Sequence, residues 1–200
     1  MLWAIVSMKY ARQINIDLGF SIADILARTR IMAQHGKAAW NGNSESAKLI
    51  RRFVPKRFIK QLKDRLPAEI VPYIQGIHLT ETQALACHLH TRDFCVLNFY
   101  HSVNGEATIF WEGDAQPIDV ANDNGNLYIT VDTTNLTVAE QFVAKSGDIW
   151  LLNTLQPHST SLVKDGGTRT ILQVFLGLPF DEVVNYFYDT NSNSSQTHTH

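Results

Sequence analysis

The sequence predicts a mostly β fold, an antiparallel sandwich or jelly roll preceded by N-terminal helices. Three observations predict it. From about Leu85 onward, short apolar runs of strand length follow one another with no helical pattern between them. Turn signals separate most of these runs: Asn104-Gly105, Glu112-Gly113-Asp114, Asn124-Gly125 and Ser146-Gly147-Asp148. Helical spacing is confined to the first third of the chain and to one short stretch near its end, residues 181–188.

In chain order, residues 1–12 (MLWAIVSMKYAR) are apolar first and basic afterwards, the reverse of a signal peptide, so they predict a buried strand or helix. Residues 14–20 alternate weakly and read as a strand. Ser21 is an N-cap candidate. Ile22, Ile25, Leu26 and Thr29 then fall at helical spacing, which predicts a helix from 21 to about 34. A polar loop follows over 35–44. Residues 48–65 hold most of the basic charge around an apolar stripe of Phe58, Ile59, Leu62 and Leu66, and Pro67 stops the run. This predicts a helix with a solvated basic face. A docking face for an acidic partner or a nucleic-acid backbone is the sharper alternative, with no interleaved aromatics or Gly-rich loop to support it. Strands are predicted over 85–91, 94–101, 107–111, 127–131, 141–144, 149–153, 158–163 and 169–176. Eight strands without intervening helices form a sandwich or roll, and the helices pack outside one sheet. The expected organisation is a helical segment over 1–84, the β domain over 85–189, and a Ser/Thr/Asn-rich tail over 190–200 that cannot bury apolar surface. His198 and His200 in that tail are poorly placed for catalysis.

With 200 residues, 44% of them hydrophobic, the chain suits one domain with a substantial core. A formal net charge of −2 gives no electrostatic case for nucleic acid. No run reaches the length of a membrane span. Cys87 and Cys95 sit in apolar runs and read as reduced core thiols, which suits a cytoplasmic protein.

Chemistry concentrates in two places. In the run ALACHLHT, His88 and His90 are two residues apart, so strand alternation puts both imidazoles on one face as paired metal ligands. Further on, Pro157-His158-Ser159 opens a strand, a Gly-rich turn follows, and Arg169 opens the next strand. His158 adds a third nitrogen donor and leaves open positions on a metal. Arg169 shares a face with Ile171, Gln173 and Phe175, where a charge is costly unless paired. A carboxylate ligand would satisfy it with two charge-assisted bonds. In a simple hairpin, His158 and Arg169 would lie roughly 16 Å apart. They meet in one pocket only if their strands belong to facing sheets.

These residues, spanning about 88–176, resemble the Fe(II)/2-oxoglutarate-dependent oxygenase superfamily and its prolyl-hydroxylase-like members. Pro157-His158-Ser159 and Arg169-Thr170-Ile171 resemble the distal histidine and the arginine beyond it. Val96 to Tyr100 followed by Asn104 to Trp111 resembles the family's strand, Gly turn and strand. Ser146-Gly147-Asp148-Ile149 resembles the turn before the distal histidine. The resemblance implies a double-stranded β-helix of jelly-roll or cupin-like form, Fe(II) as the metal and 2-oxoglutarate as cosubstrate. It implies Arg169 as the anchor of the distal carboxylate, with Asn98, Tyr100 and Tyr128 as hydrogen-bond partners.

The proximal motif departs from the family's H-x-D/E. One register offers His88-Leu89-His90, with a histidine in place of the carboxylate. The other offers His90-Thr91-Arg92 with Asp93 one place late, so Asp93 is the alternative ligand. Parity favours the first.

Three functions fit. The leading one is a 2-oxoglutarate-dependent hydroxylase-type oxygenase. The others are a cupin-like metalloenzyme without 2-oxoglutarate and a non-catalytic jelly-roll module. The substrate class stays open among a small acid, a protein side chain and a nucleobase.

Overall fold

The computed structural model describes residues 8–29, 31–35, 49–123, 126–161 and 167–193, with backbone alone for 31–35, 121–123, 126–128 and 189–193. The predicted N-terminal run is described only from Met8, and the 124–125 turn lies outside the described residues. Most of the loop over 35–44, positions 162–163 of the strand predicted over 158–163, positions 164–166 of the turn predicted over 164–168, and tail positions 194–200 lie outside them too.

Two antiparallel sheets face each other. The seven-stranded sheet has the order β1-β11-β6-β13-β4-β3-β2, and the six-stranded sheet β10-β7-β12-β5-β9-β8. Its members are β1 (Ala11–Gln13), β2 (Ile31–His35), β3 (Leu49–Phe53), β4 (Ile74–Thr82), β6 (Cys95–Ser102), β11 (Ile149–Asn153) and β13 (Arg169–Leu176). The other sheet holds β5 (Leu85–His90), β7 (Ala107–Gly113), β8 (Gln116–Asp123), β9 (Asn126–Asp132), β10 (Leu136–Val143) and β12 (His158–Thr160). This is the expected jelly-roll, cupin-like architecture, mostly β with helices to one side.

The helices are α1 (Ile22–Leu26), α2 (Lys56–Lys63) and α3 (Phe180–Asn193). They cover the outer face of the seven-stranded sheet. Ile25, Phe58, Leu62, Val183 and Phe187 join Leu97, Phe99, Leu151, Leu172 and Val174 in one buried cluster. The opposite parity of the same strands, Tyr100, Trp150, Leu152 and Ile171, faces the six-stranded sheet and packs on Phe110 and Phe142. Alternation thus assigns one face of β6 and β13 to the helices and the other to the space between the sheets. No helix among the described residues is long and apolar enough to cross a membrane.

The N-terminal part departs from the helical segment expected over 1–84. The seven-stranded sheet draws β1 to β4 from it, so the β structure does not begin at Leu85. The predicted 48–65 helix divides at Pro55. Proline disfavours helical backbone at the residue before it, so Leu49–Phe53 extends and pairs with β4, while helix resumes after Pro55 as α2. The predicted 21–34 helix stops at Leu26. Ser21 does cap it, with Oγ accepting from Ala23 N at 3.1 Å. Beyond it, residues 31–35 gain ladder bonds to β3, which outweigh a weak helical preference. In place of the strand predicted over 14–20 there is only β1, just before it.

Besides β2 and β3, two further strands went unpredicted. One is β4. The other is β8, whose Pro117 and acidic residues read as loop; it lies at a sheet edge, where proline is tolerated. At the other end, α3 runs through Asn193, past the 188 limit and into the expected tail.

Candidate metal centre

His88 and His90 project from β5 into the space between the sheets, and His158 meets them from β12. The β5–β12 ladder pairs His158 directly with His88. Cys87 and Leu89, of opposite parity, join the apolar cluster with Val131 and Trp111. The three imidazoles are buried, and one ring nitrogen of each lies within 4.8 Å of the others. Ring centroids are 4.3 Å apart for His88 and His158, 5.3 Å for His90 and His158, and 5.4 Å for His88 and His90.

Backbone carbonyls orient two of the rings. Nδ1–H of His88 donates to Ala86 O at 2.8 Å, and Nδ1–H of His158 donates to Gln156 O at 2.9 Å. Each bond fixes the tautomer and leaves Nε2 as the lone-pair donor. Ala86 sits in an irregularity of β5. Between the pairs His158↔His88 and Thr160↔Leu85, β5 carries one residue more than β12. Such a bulge re-aims side chains, and here it brings Leu85 as well as His88 to the cavity wall.

His90 has a different support. Its Nδ1 lies 3.6 Å from Oδ2 of buried Asp93. Asp93 is not a member of the three-residue cluster. It stands behind His90, where a carboxylate orients an imidazole. The three-histidine grouping follows the first register, with Asp93 beside His90 and outside the group.

Burial holds all three histidines toward the neutral form. It is the largest cause for each, and the proximity of the other imidazoles adds to it for His88 and His90. Both lie well below the ordinary imidazole value, and His158 falls to about 4. Neutral imidazole is the form that ligates metal, so the donor set suits a divalent cation of imidazole preference such as iron or zinc. The 4.8 Å spread exceeds what metal–nitrogen bonds of about 2.1 Å allow and needs small side-chain rotations to close.

Arg169 reaches the same cavity from β13 in the facing sheet, as its joint use with His158 requires. It is only 4% exposed. Its Nε has no hydrogen-bond partner among the described residues. Burial lowers its pKa, while the nearby Tyr100 and Glu106 work the other way.

Asn98 and Gln173 line the cavity too. They belong to a chain of polar contacts across the inner wall. Thr80 Oγ1 donates to Gln173 Oε1 (2.7 Å), and Gln173 Nε2 donates to Asn98 Oδ1 (3.1 Å). Asn98 Nδ2 reaches Tyr100 Oη (3.5 Å), which meets Thr108 Oγ1 at 3.3 Å. Asn98 and Tyr100 are thus brought together with Arg169. Tyr128 pairs through its backbone with His90, and its side chain lies outside the described residues.

The sequence reading missed Arg51. Assigned to a solvated helix face, it lies instead on β3, 4% exposed, and lines the cavity. Pro55 was the available signal, because it turns 49–53 into a strand whose alternation carries Leu49 and Arg51 inward. Glu106, buried near Arg169, was missed as well, and its Oε2 accepts from Asn104 N at 2.8 Å.

No family model matches the chain, and no curated protein matches it. Among solved structures it is similar to ycfD of E. coli, with 14% identity, a TM-score of 0.47, 96% of this chain covered and 56% of that one. A structure of YcfD, a ribosomal oxygenase from Escherichia coli, in complex with cobalt and 2-oxoglutarate gives 12% identity and a TM-score of 0.42, covering 84% and 42%. A mutant of Bacillus subtilis oxalate decarboxylase gives 12% identity and a TM-score of 0.33, covering 76% and 28%. The chain spans about half the length of the ycfD chains it matches. None of these reaches a TM-score of 0.5, so the reading of the site rests on its own residues.

Proposed function

We propose that this protein is a non-haem Fe(II), 2-oxoglutarate-dependent oxygenase of hydroxylase type. One observation carries the reading: three neutral imidazoles from one sheet converge on a cavity whose facing wall holds a buried arginine. His88, His90 and His158 would hold the metal. Arg169 would grip the distal carboxylate of 2-oxoglutarate, with Tyr100 beside it and the Asn98–Gln173 amides along the wall. When bound, iron and the keto acid supply the oxidising chemistry drawn from dioxygen.

The chain's own residues position and shield. Ala86 and Gln156 fix ring tautomers, Asp93 holds His90, and Leu49, Leu85, Val96, Leu152 and Phe175 make the apolar part of the wall. The cavity volume is about 40 Å³, which holds about three waters. Uptake of 2-oxoglutarate therefore entails displacement of flexible wall side chains, of which Arg51 and Arg169 are the longest.

A cupin-like metalloenzyme without 2-oxoglutarate is the second reading. Glu106 favours it, because a buried carboxylate already lies in the electrostatic reach of Arg169. Anaerobic titration of Fe(II) and then 2-oxoglutarate separates the two. The first reading expects stoichiometric binding of both, and the second expects binding of the metal alone. Binding of neither would leave a non-catalytic module.

A further inference from the structure

The metal cavity makes no use of the basic helix α2. This helix packs Phe58 and Leu62 on the outer face of the seven-stranded sheet, whereas the cavity lies on the inner face. Lys56, Lys60 and Lys63 are spaced by four and then three residues, so they form one exposed stripe along about 10 Å of helix. Between this stripe and the segment 64–71 lies an open groove of about 680 Å³. Ile59, Leu66 and Val71 make its floor, seated on the buried cluster beneath, and the three lysines make one rim.

Charge on this face runs against what the helix alone prefers. A helix N-terminus favours acids, yet α2 has none in its first turn and begins Lys56-Arg57. Its N-cap, Pro55, gives the first-turn amides no side-chain bond. Lys56 and Lys60, four apart, repel each other. Residues 56–65 hold the cations Lys56, Arg57, Lys60, Lys63 and Arg65 against a single acid, Asp64. Among the described residues the ion pairs lie elsewhere, and Asp64 joins none of them. The stripe therefore costs the folded chain some stability, and an anion laid along it would offset that cost.

The floor decides which anion. A phosphate backbone would leave the aliphatic floor uncovered, and no aromatic side chain lines the groove for a base to stack on. Lysine heads beside a strip of aliphatic surface instead complement a peptide with acids on one edge and apolar side chains on the other. We propose that this groove docks an acidic, aliphatic segment of a partner protein. Its carboxylates would lie along Lys56, Lys60 and Lys63, and its apolar side chains on Ile59, Leu66 and Val71. The oxygenase reading plays no part in this docking.

The test is fluorescence anisotropy on the full chain, with a labelled peptide of Glu-Glu-Leu repeats. An all-Glu peptide of equal charge, a peptide of Lys-Lys-Leu repeats, a single-stranded RNA and phosphatidylserine vesicles serve as comparisons. Wild type is expected to bind the Glu-Glu-Leu peptide at least about tenfold more tightly than any of the others. Binding should weaken between about 0.01 and about 1 M salt, as the screening length falls from roughly 30 to roughly 3 Å. The double variant Lys60→Glu, Lys63→Glu should lose at least about tenfold in affinity. Lys56→Glu should also bind more weakly, yet keep or raise the melting temperature, because an acid in the first turn suits the helix dipole. That opposite movement separates a docking residue from one that merely holds the fold. The proposal is overturned if wild type binds no acidic peptide, if it binds the all-Glu peptide as tightly, or if it prefers RNA or vesicles. Unchanged affinity in Lys56→Glu would overturn it too, and that variant decides should the double variant fail to fold.

Discussion

His158 lies directly opposite His88 on neighbouring strands, with ring centroids 4.3 Å apart and each Nδ1 bonded to a carbonyl of its own chain segment. Two residues seventy positions apart in sequence are thereby made a rigid pair of nitrogen donors.

Removal of one member of that pair should remove the metal without unfolding the protein. His158→Ala is expected to abolish stoichiometric Fe(II), read by elemental analysis after dialysis, and to keep the β-rich circular dichroism spectrum. Full metal content in this variant would exclude His158 as a ligand.

Asp93 gives a graded version of the same test. Loss of a carboxylate behind a ligating histidine typically weakens metal binding by about 10–100-fold. Asp93→Asn should fall in that range, less severe than His90→Ala. Equal loss in the two variants would mean that Asp93 itself binds the metal.

Arg169→Lys keeps the charge and loses the bidentate fork. It should weaken 2-oxoglutarate by roughly 1–3 kcal/mol, with Fe(II) affinity unchanged. Arg169→Ala should weaken it further. A titration of the iron-loaded proteins checks both, and identical affinities across all three would take Arg169 out of the site.

The metal-free protein should lose stability in mild acid. Unfolded histidines titrate near about 6.5. In the folded chain, burial keeps His88 and His90 well below that value and His158 at about 4. Below about pH 6.5 the unfolded state binds protons that the folded state refuses, so stability falls as pH drops and levels off above about 6.5. Melting temperature should therefore decline from pH 7 to about pH 5, less steeply in His158→Asn. A flat wild-type profile would show that the imidazoles are not held neutral.

Much of the β domain was legible because period-two alternation and Gly turns are local signals. The strands at 149–153 and 169–176 appear with the bounds that their apolar runs announce. His88 and His90 share a face for the same reason. Beyond reach were features decided by a distant partner. β8 is a strand because β9 lies beside it, and residues 31–35 are a strand because β3 does. Arg51 was hidden by a choice of period. Read at 3.6 residues it joins a solvated face, and read at two, once Pro55 interrupts the helix, it points inward. The meeting of His158 with Arg169 needed knowledge of which sheet each strand enters, and no local pattern carries that.

The extra residue in β5 makes the site poorly portable. Transplanting His-Leu-His onto a regular strand of another scaffold would reproduce the spacing and the facing of the two rings. It would not reproduce the carbonyl of Ala86 turned back toward His88, because that orientation belongs to the bulge. The transferable unit is the whole stretch Leu85–His90 together with its partner β12, so the three-residue motif is a marker of this centre and not a blueprint for building one.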